Sequence, residues 1–473
     1  MSDAADHRLL DRLLTHARHT PSAPAIVTSD GTLDYATLAR RVHCCAEALM
    51  QMGVTSGSTV AFACEAEVPH LIASLALATL GSSQLALPSH EPPSFRDELA
   101  QRINATHRLG EDDIKRLSAA DTSSLSVTDR PAKGSAGLIY LSTSGTTGAP
   151  KLVVLGDNDL VSQAPRHIGS PQERFACIAG IEHNFAKRHR LYCVAQGAAN
   201  VFLATTGIDT VPAQCDALGV NVLHVSAFQA RDLLGARDLE ALRNLTLKIG
   251  GSHVPLALRN ALMDHITPTL YTGYGTTETG AIAFAGRGQH DAEESVGVPL
   301  SGIELRIAPT DPGTPTATAE APGELLIRAD GLFRAYLGNP GETARRLVDG
   351  WFHTGDLGFL DAHNRLVLRG RRDDMFVFNS MNIYPQELET CIRQHGAVED
   401  VAVVPRHSAV HGAIPVAIVQ AKTGAALDPG DLRSFARERL GLRCPRQFVL
   451  VDHVPRNRTG KIQRDAAQAL IAE

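Results

Sequence analysis

Strand-like and helix-like stretches alternate along the first third of the chain, and this alternation narrows the fold more than any other feature. Ala25–Val27 and Thr59–Cys64 read as strands, Tyr35–Met52 as an amphipathic helix and His70–Leu80 as another helix. The pattern resumes at Phe202–Leu203, Val220–Val225, Leu245–Ile249 and Thr269–Tyr271. Strands separated by helical stretches imply layered α/β structure with largely parallel pairing. From Val296 the texture changes. Val296–Pro299, Glu304–Ile307, Gly323–Ile327 and Phe359–Leu360 are short strands with Gly, Pro and Asp between them, which predicts a β-rich subdomain.

Beyond Gly370 the pattern predicts a small α+β unit. Its helices fall at Pro385–His395 and Asp431–Leu440, and its strands at Asp400–Val404, Pro415–Gln420 and Phe448–Val451. The expected organisation is a large N-terminal domain, 1–369, of α/β subdomains plus the β-rich one, joined by a hinge to a C-terminal domain, 370–473. The boundary is expected at Gly370–Asp373. A chain of 473 residues exceeds one ordinary core, in keeping with one large and one small domain.

Bulk numbers exclude several function classes. The 45 Lys and Arg against 51 Asp and Glu leave a net charge of −6, which argues against a nucleic-acid partner. The longest apolar stretch, near Leu71–Leu80, is too short and broken for a bilayer, and Met1–Leu10 lacks a signal-peptide pattern. The 8 cysteines are scattered without a CxxC pair, so reduced buried thiols, a cytoplasmic location and no zinc site are expected.

The most informative segment runs from Leu138 to Lys151, Leu-Ile-Tyr-Leu-Ser-Thr-Ser-Gly-Thr-Thr-Gly-Ala-Pro-Lys. An apolar strand empties into a loop of glycines and hydroxyls (Thr143, Ser144, Gly145, Thr146, Thr147, Gly148) that ends on a cation. Free backbone N–H groups, hydroxyl donors and one lysine are the set that holds a polyphosphate. Gly145 and Gly148 let the backbone approach closely. The spacing G-x-x-G-x-x-K is not that of a Walker A loop, which disfavours a P-loop phosphotransferase.

This run resembles the phosphate loop of the adenylate-forming superfamily: acyl-CoA synthetases, adenylation domains of peptide synthetases and beetle luciferases. Five further motifs follow in that family's order. They are Tyr271-Thr-Gly-Tyr-Gly-Thr-Thr-Glu-Thr-Gly280, Gly323-Glu-Leu, Trp351-Phe-His-Thr-Gly-Asp-Leu-Gly358, Gly370-Arg-Arg-Asp-Asp374 and Pro455-Arg-Asn-Arg-Thr-Gly-Lys461. The resemblance implies ATP and Mg²⁺ as cofactors. Tyr274 would then lie on the adenine, with Gly275 beside the nucleotide, and Thr277 would bond phosphate. Glu278 would hold Mg²⁺ through hard carboxylate oxygen. Asp356 would accept the ribose hydroxyls, Arg371 would contact ribose or phosphate, and Asp373 would be the hinge. Lys461 would bridge the attacking carboxylate and the α-phosphate, stabilising charge where two anions meet.

The acid pocket, by the same resemblance, begins at His183-Asn184-Phe185, similar to the triplet of enzymes that activate aryl acids. Asn184 would bond a substituent ortho to the carboxylate; it cannot pair an α-ammonium as an aspartate would. Arg188, His224, Lys248, Gly250, Gly273, Ala281 and Ile282 fall on the remaining pocket positions, the small residues at 250, 273 and 281 leaving room for a ring. Arg188 and Lys248 fit a purely apolar acid poorly. Either the substrate carries a second polar or anionic group or these chains point away into solvent, and Lys187–Arg190 reads equally as an exposed basic turn.

Asn379-Ser380 replaces the family's more usual Lys-Gly, which leaves the acceptor open: coenzyme A, the phosphopantetheine of an acyl or aryl carrier protein, or an amine. The expected reaction is acyl-AMP formation with release of pyrophosphate, then transfer to a carrier-protein or CoA thiol. A ligase for a β-amino or aliphatic acid, an amide-forming ligase and a silent nucleotide-binding relative are the alternatives.

Overall fold

A computed structural model describes residues 8–119, 137–142, 150–204, 207–291, 294–309, 317–319, 321–379, 381–408, 412–457 and 460–471. Among these residues two large mixed sheets form most of the N-terminal part. One takes Thr59–Phe62, Ser83–Ala86, His107–Leu109 and Leu138–Ser142 in parallel and adds Leu152–Gly156 antiparallel at one side. The other places Arg174–Cys177, Ala199–Val201, Val222–Val225, Thr246–Ile249 and Leu270–Thr276 in parallel, with Gly280–Ala285 folding back antiparallel. The α/β expectation therefore holds, including the largely parallel pairing.

The apolar content of one helix leaves it almost no exposed face. In the helix Glu67–Leu80 every residue from His70 to Leu80 is buried. A helix with apolar residues all round must lie between layers. Gly81 closes it in the left-handed conformation, φ +69°, which glycine adopts at no steric cost. No helix among the described residues is long and apolar enough to cross a membrane.

The β-rich part is a separate antiparallel sheet of Ile303–Pro309, Gly323–Ala329, Leu347–Val348, Trp351–Leu360 and Leu366–Arg371. The short strand expected at Phe359–Leu360 extends back to Trp351, so the whole Trp351–Gly358 motif is strand. Phe202–Leu203 lies just outside its strand, Ala199–Val201. The chain leaves the β-rich sheet at Arg371 and enters the last sheet at Phe376. That sheet pairs Val398–Ser408 with Gly412–Ala421, adds Gln447–Val451 in parallel, and packs on the helices Pro385–Arg393 and Pro429–Leu440. Its core of Phe378, Ile383, Leu388, Val401, Val419 and Leu432 is its own.

Candidate active site

The phosphate-loop residues Thr143 to Gly148 lie outside the described residues; the elements that carry them do not. Leu138–Ser142 and Leu152–Gly156 form an antiparallel pair with Ser142 opposite Leu152. Lys151, at the loop's exit, reaches Glu342 Oε1 at 2.7 Å and stands 5.3 Å over the ring of Tyr336. The Tyr336 hydroxyl donates to Glu278 Oε1 at 2.8 Å. Lys151 and Glu278, far apart in sequence, thus face one another across a single tyrosine.

The strand Leu270–Thr276 turns sharply into Gly280–Ala285. A Cβ on Gly275 would collide with the Gly280 carbonyl, so only glycine permits this crossing. The turn is braced by Arg188, whose Nη1 donates to the Thr277 carbonyl at 3.1 Å. Tyr274 donates its hydroxyl to Asp356 Oδ2 at 2.5 Å, and Arg371 Nη1 lies 3.3 Å from Asp356 Oδ1. Asp356 and Arg371 are register partners on neighbouring strands, which places the ion pair. Burial pushes the Asp356 carboxyl up from its ordinary range, with Arg371 and the tyrosine hydroxyl opposing. Burial and then the Asp356 charge push the Tyr274 hydroxyl well above its usual value, so it stays a donor.

Lys461 comes to the same place from the opposite side. Its backbone N–H donates to Asn457 Oδ1 at 2.9 Å, while Asn457 N–H donates back to the Lys461 carbonyl at 2.9 Å. Gly460, at φ +80°, packs against Phe228 of the large N-terminal part, where a Cβ would be only 3.3 Å from the Phe228 Cβ. Arg231 and Glu399 bridge the two parts at 3.1 Å. Burial lowers the Lys461 ammonium, and Arg371 adds to this, whereas Asp374 and Asp356 raise it. Lys461, Arg371, Asp374, His253 and Phe228 line one cleft of about 820 Å³ between the parts. The structure therefore brings Tyr274, Asp356, Arg371 and Lys461 together.

The acid-pocket residues divide. Asn184 starts the helix Asn184–Gln196, and its amide nitrogen donates to the Ser142 carbonyl, tying the helix to the strand that feeds the phosphate loop. Phe185 meets His224 edge-on at a centroid separation of 4.2 Å and lies 4.2 Å from His189. His183 sits 5.9 Å from His90, ring to ring. Four expectations need correcting. The Lys187–Arg190 segment is helix, not an exposed turn, and all four side chains are buried. Arg188 and Lys248 do not point into solvent. Arg188 holds the Thr277 carbonyl, and Lys248 donates to the His167 carbonyl at 2.7 Å with Glu173 at 3.8 Å. The space over Gly273 is not open, because Phe284, its cross-strand partner, fills it; at Gly250 an added Cβ would make only ordinary contact, 3.4 Å from His224 Nε2. Ile282 turns away from Ala281, as alternation on a strand requires, and packs with Leu325, Ile327 and Leu366.

Sequence reasoning missed Tyr336, Glu342, Arg346 and Glu173. Only the Glu342–Arg346 spacing of four on a short helix left a signal.

A buried carboxylate–tyrosine pair on one part, met by a lysine from the other across a cleft, defines an adenylate-forming ligase. The chain belongs to the AMP-binding enzyme family: residues 13–104 and 89–337 match the family itself, and 387–461 match the AMP-binding enzyme C-terminal domain. It is 30% identical to indoleacetate–CoA ligase of Aromatoleum aromaticum, over 97% of each chain. It is 28% identical to 4-coumarate–CoA ligase 5 of Oryza sativa subsp. japonica, over 93% of this chain and 89% of that one. Among solved structures, amide bond synthetase McbA from Marinactinospora thermotolerans superposes with a TM-score of 0.87 at 22% identity, over 98% of this chain and 99% of that one. At that identity the likeness speaks for the fold.

Proposed function

We propose that this protein condenses an aryl carboxylic acid with MgATP to give acyl-AMP and pyrophosphate, then passes the acyl group to the thiol of coenzyme A. The observation that carries the first step is Lys461 lining the cleft with Arg371, near enough to Asp356 for each to feel the other's charge. A carboxylate attacking phosphate brings two anions together, and a buried cation at that point lowers the barrier. Tyr274 and Asp356 would bind the nucleoside, and Lys151 with the hydroxyl-rich loop the phosphates. Glu278 fits Mg²⁺: Tyr336 occupies one carboxylate oxygen and leaves the other, a hard donor, for the cation. The metal would neutralise phosphate charge as pyrophosphate leaves.

The aryl acid and the CoA thiol are supported by the named activities of the relatives above, which join arylacetic and hydroxycinnamic acids to CoA. They favour CoA over a carrier-protein arm. Asn184 supports an ortho-substituted acid, because its amide nitrogen is engaged with Ser142 and its carbonyl oxygen is left to accept from a hydroxyl or amino group. A cytoplasmic location accords with CoA and ATP as substrates, and with a hinge at Asp373 the 370–473 part would turn to withdraw Lys461 before transfer. The test is acid-dependent pyrophosphate exchange across a library of acids, followed by CoA thioester formation with the best of them. Exchange with no acid, or no thioester from an exchanging acid, would overturn the corresponding step.

A further inference from the structure

The segment Arg372–Met375 is the sole covalent path described between the β-rich sheet and the last one, and its one exposed acid is gripped from the side. Arg346, at the end of the helix Pro340–Arg346, is buried among polar partners. Its Nε donates to Glu342 Oε1 at 3.2 Å, its Nη1 to the His353 carbonyl at 3.3 Å, and its Nη2 to Asp373 Oδ2 at 3.0 Å. The guanidinium crosses the Trp351–Leu360 strand over Gly355, whose φ is +74° and where any Cβ would collide with Nη1. Glu342 fixes Arg346 and is itself held by Arg345 and Lys151. Burial would raise the Glu342 carboxyl, but these hydrogen bonds hold it down to about 2, so it stays charged. Next to Asp373, Arg372 is tied to Glu324 Oε2 at 2.8 Å, and its N–H donates to the Gly355 carbonyl.

We infer that Arg346 is a positioning residue that latches Asp373 and so holds the C-terminal part in the orientation that places Lys461 beside Asp356. Arg346 touches no substrate; it acts through the hinge, and Glu342 acts through Arg346. An arginine serves here because its planar fork meets a carboxylate, a carbonyl and a second carboxylate at once, which a lysine cannot do. This inference rests on the adenylation reading above, with Asp373 as the pivot.

The experiment takes the full chain with Arg346→Met, Arg346→Lys and Asp373→Asn, alone and combined. Tryptic cleavage at Arg371 and Arg372 needs no substrate and reads the latch directly. It should quicken roughly tenfold in Arg346→Met, the scale of one coupling contact. Cleavage at the wild-type rate in Arg346→Met overturns the latch; Asp373→Asn changes the residue after the scissile Arg372 bond, so it is read by the half-reactions alone. In the two half-reactions, acid-dependent exchange should fall by about the same factor with KM for ATP unchanged, while transfer from pre-made acyl-AMP holds or rises. The double variant should be no worse than either single one, and Arg346→Lys should not rescue. Equal loss in both half-reactions, or losses that multiply, also overturns it. Should Arg346→Met fail to fold, Arg346→Lys carries the cleavage readout and Asp373→Asn, whose side chain is half exposed, the half-reaction readouts. If the wild type exchanges with no acid, the proposed function fails while the cleavage readout still judges the latch.

Discussion

The Tyr274 hydroxyl donates to Asp356 Oδ2 across 2.5 Å, so the ring expected to carry adenine is anchored to the acid expected to carry ribose. One nucleoside would meet both ends of this pair at once. The acid is buried with its carboxyl raised above the ordinary 3.8. A raised carboxyl adds stability when protonated and loses it as pH rises through the folded-state value. Asp356→Asn should therefore be as stable as wild type or more so at pH 7, with the advantage shrinking as pH falls through that value. Its affinity for ATP should fall tenfold or more, since a carboxylate accepting two hydroxyls is worth about 1.5–3 kcal/mol per bond. Denaturant unfolding at several pH values and nucleotide titration check both halves; a variant destabilised at pH 7 would contradict the first.

Lys461→Ala should depress acyl-AMP formation by about 10²–10³, the scale of losing one preorganised donor at developing charge. Transfer from supplied acyl-AMP should survive, because the proposed turn at Asp373 would have withdrawn the lysine by then. Separate exchange and single-turnover transfer assays decide it. Near wild-type exchange would remove Lys461 from the chemistry.

Lys187 is an unusual interior cation. Its Nζ donates to Gln84 Oε1 at 3.1 Å and stands 4.9 Å over the Phe62 ring, with no carboxylate partner among the described residues. Burial lowers its ammonium from 10.5 to about 7. Below that value the buried charge is carried in full, and as pH rises from about 7 toward 10.5 only the unfolded chain remains protonated, so the folded state gains. Lys187→Met should stabilise by a few kcal/mol (roughly 1–4) at pH 6. The gain should be smaller at pH 9.5. A gain that grows with pH would mean a partner compensates the charge.

Asn184 has two jobs to test. Among benzoates, ortho-hydroxy or ortho-amino compounds should exchange faster than benzoate by about tenfold to a hundredfold, since an unpaired buried acceptor costs about 1–3 kcal/mol. Asn184→Leu should erase that gap and also slow every acid, because the bond to Ser142 goes with it. An acid screen won by linear fatty acids would defeat the aryl reading and leave the adenylation chemistry untouched.

The chain's sequence alone determined its family and its α/β class and nominated the residues proposed to face nucleotide, because those are carried by contiguous runs. A strand running into glycines and hydroxyls, or Tyr274 four residues before Glu278, is a local pattern that needs no distant partner to be recognised. The tertiary structure alone decided what the cations do. Lys187–Arg190 has the composition of a solvated turn, and only the two sheets closing over it make it an interior helix whose charges need Gln84, Glu67 and backbone carbonyls. Ile282 and Gly273 sit on pocket positions by alignment, yet strand alternation and the Phe284 ring across the ladder turn both away from an acid. The grip of Arg346 on Asp373 joins residues 27 apart through a guanidinium that fits only over Gly355. Such contacts depend on where two backbones meet in space, which spacing along one of them does not encode.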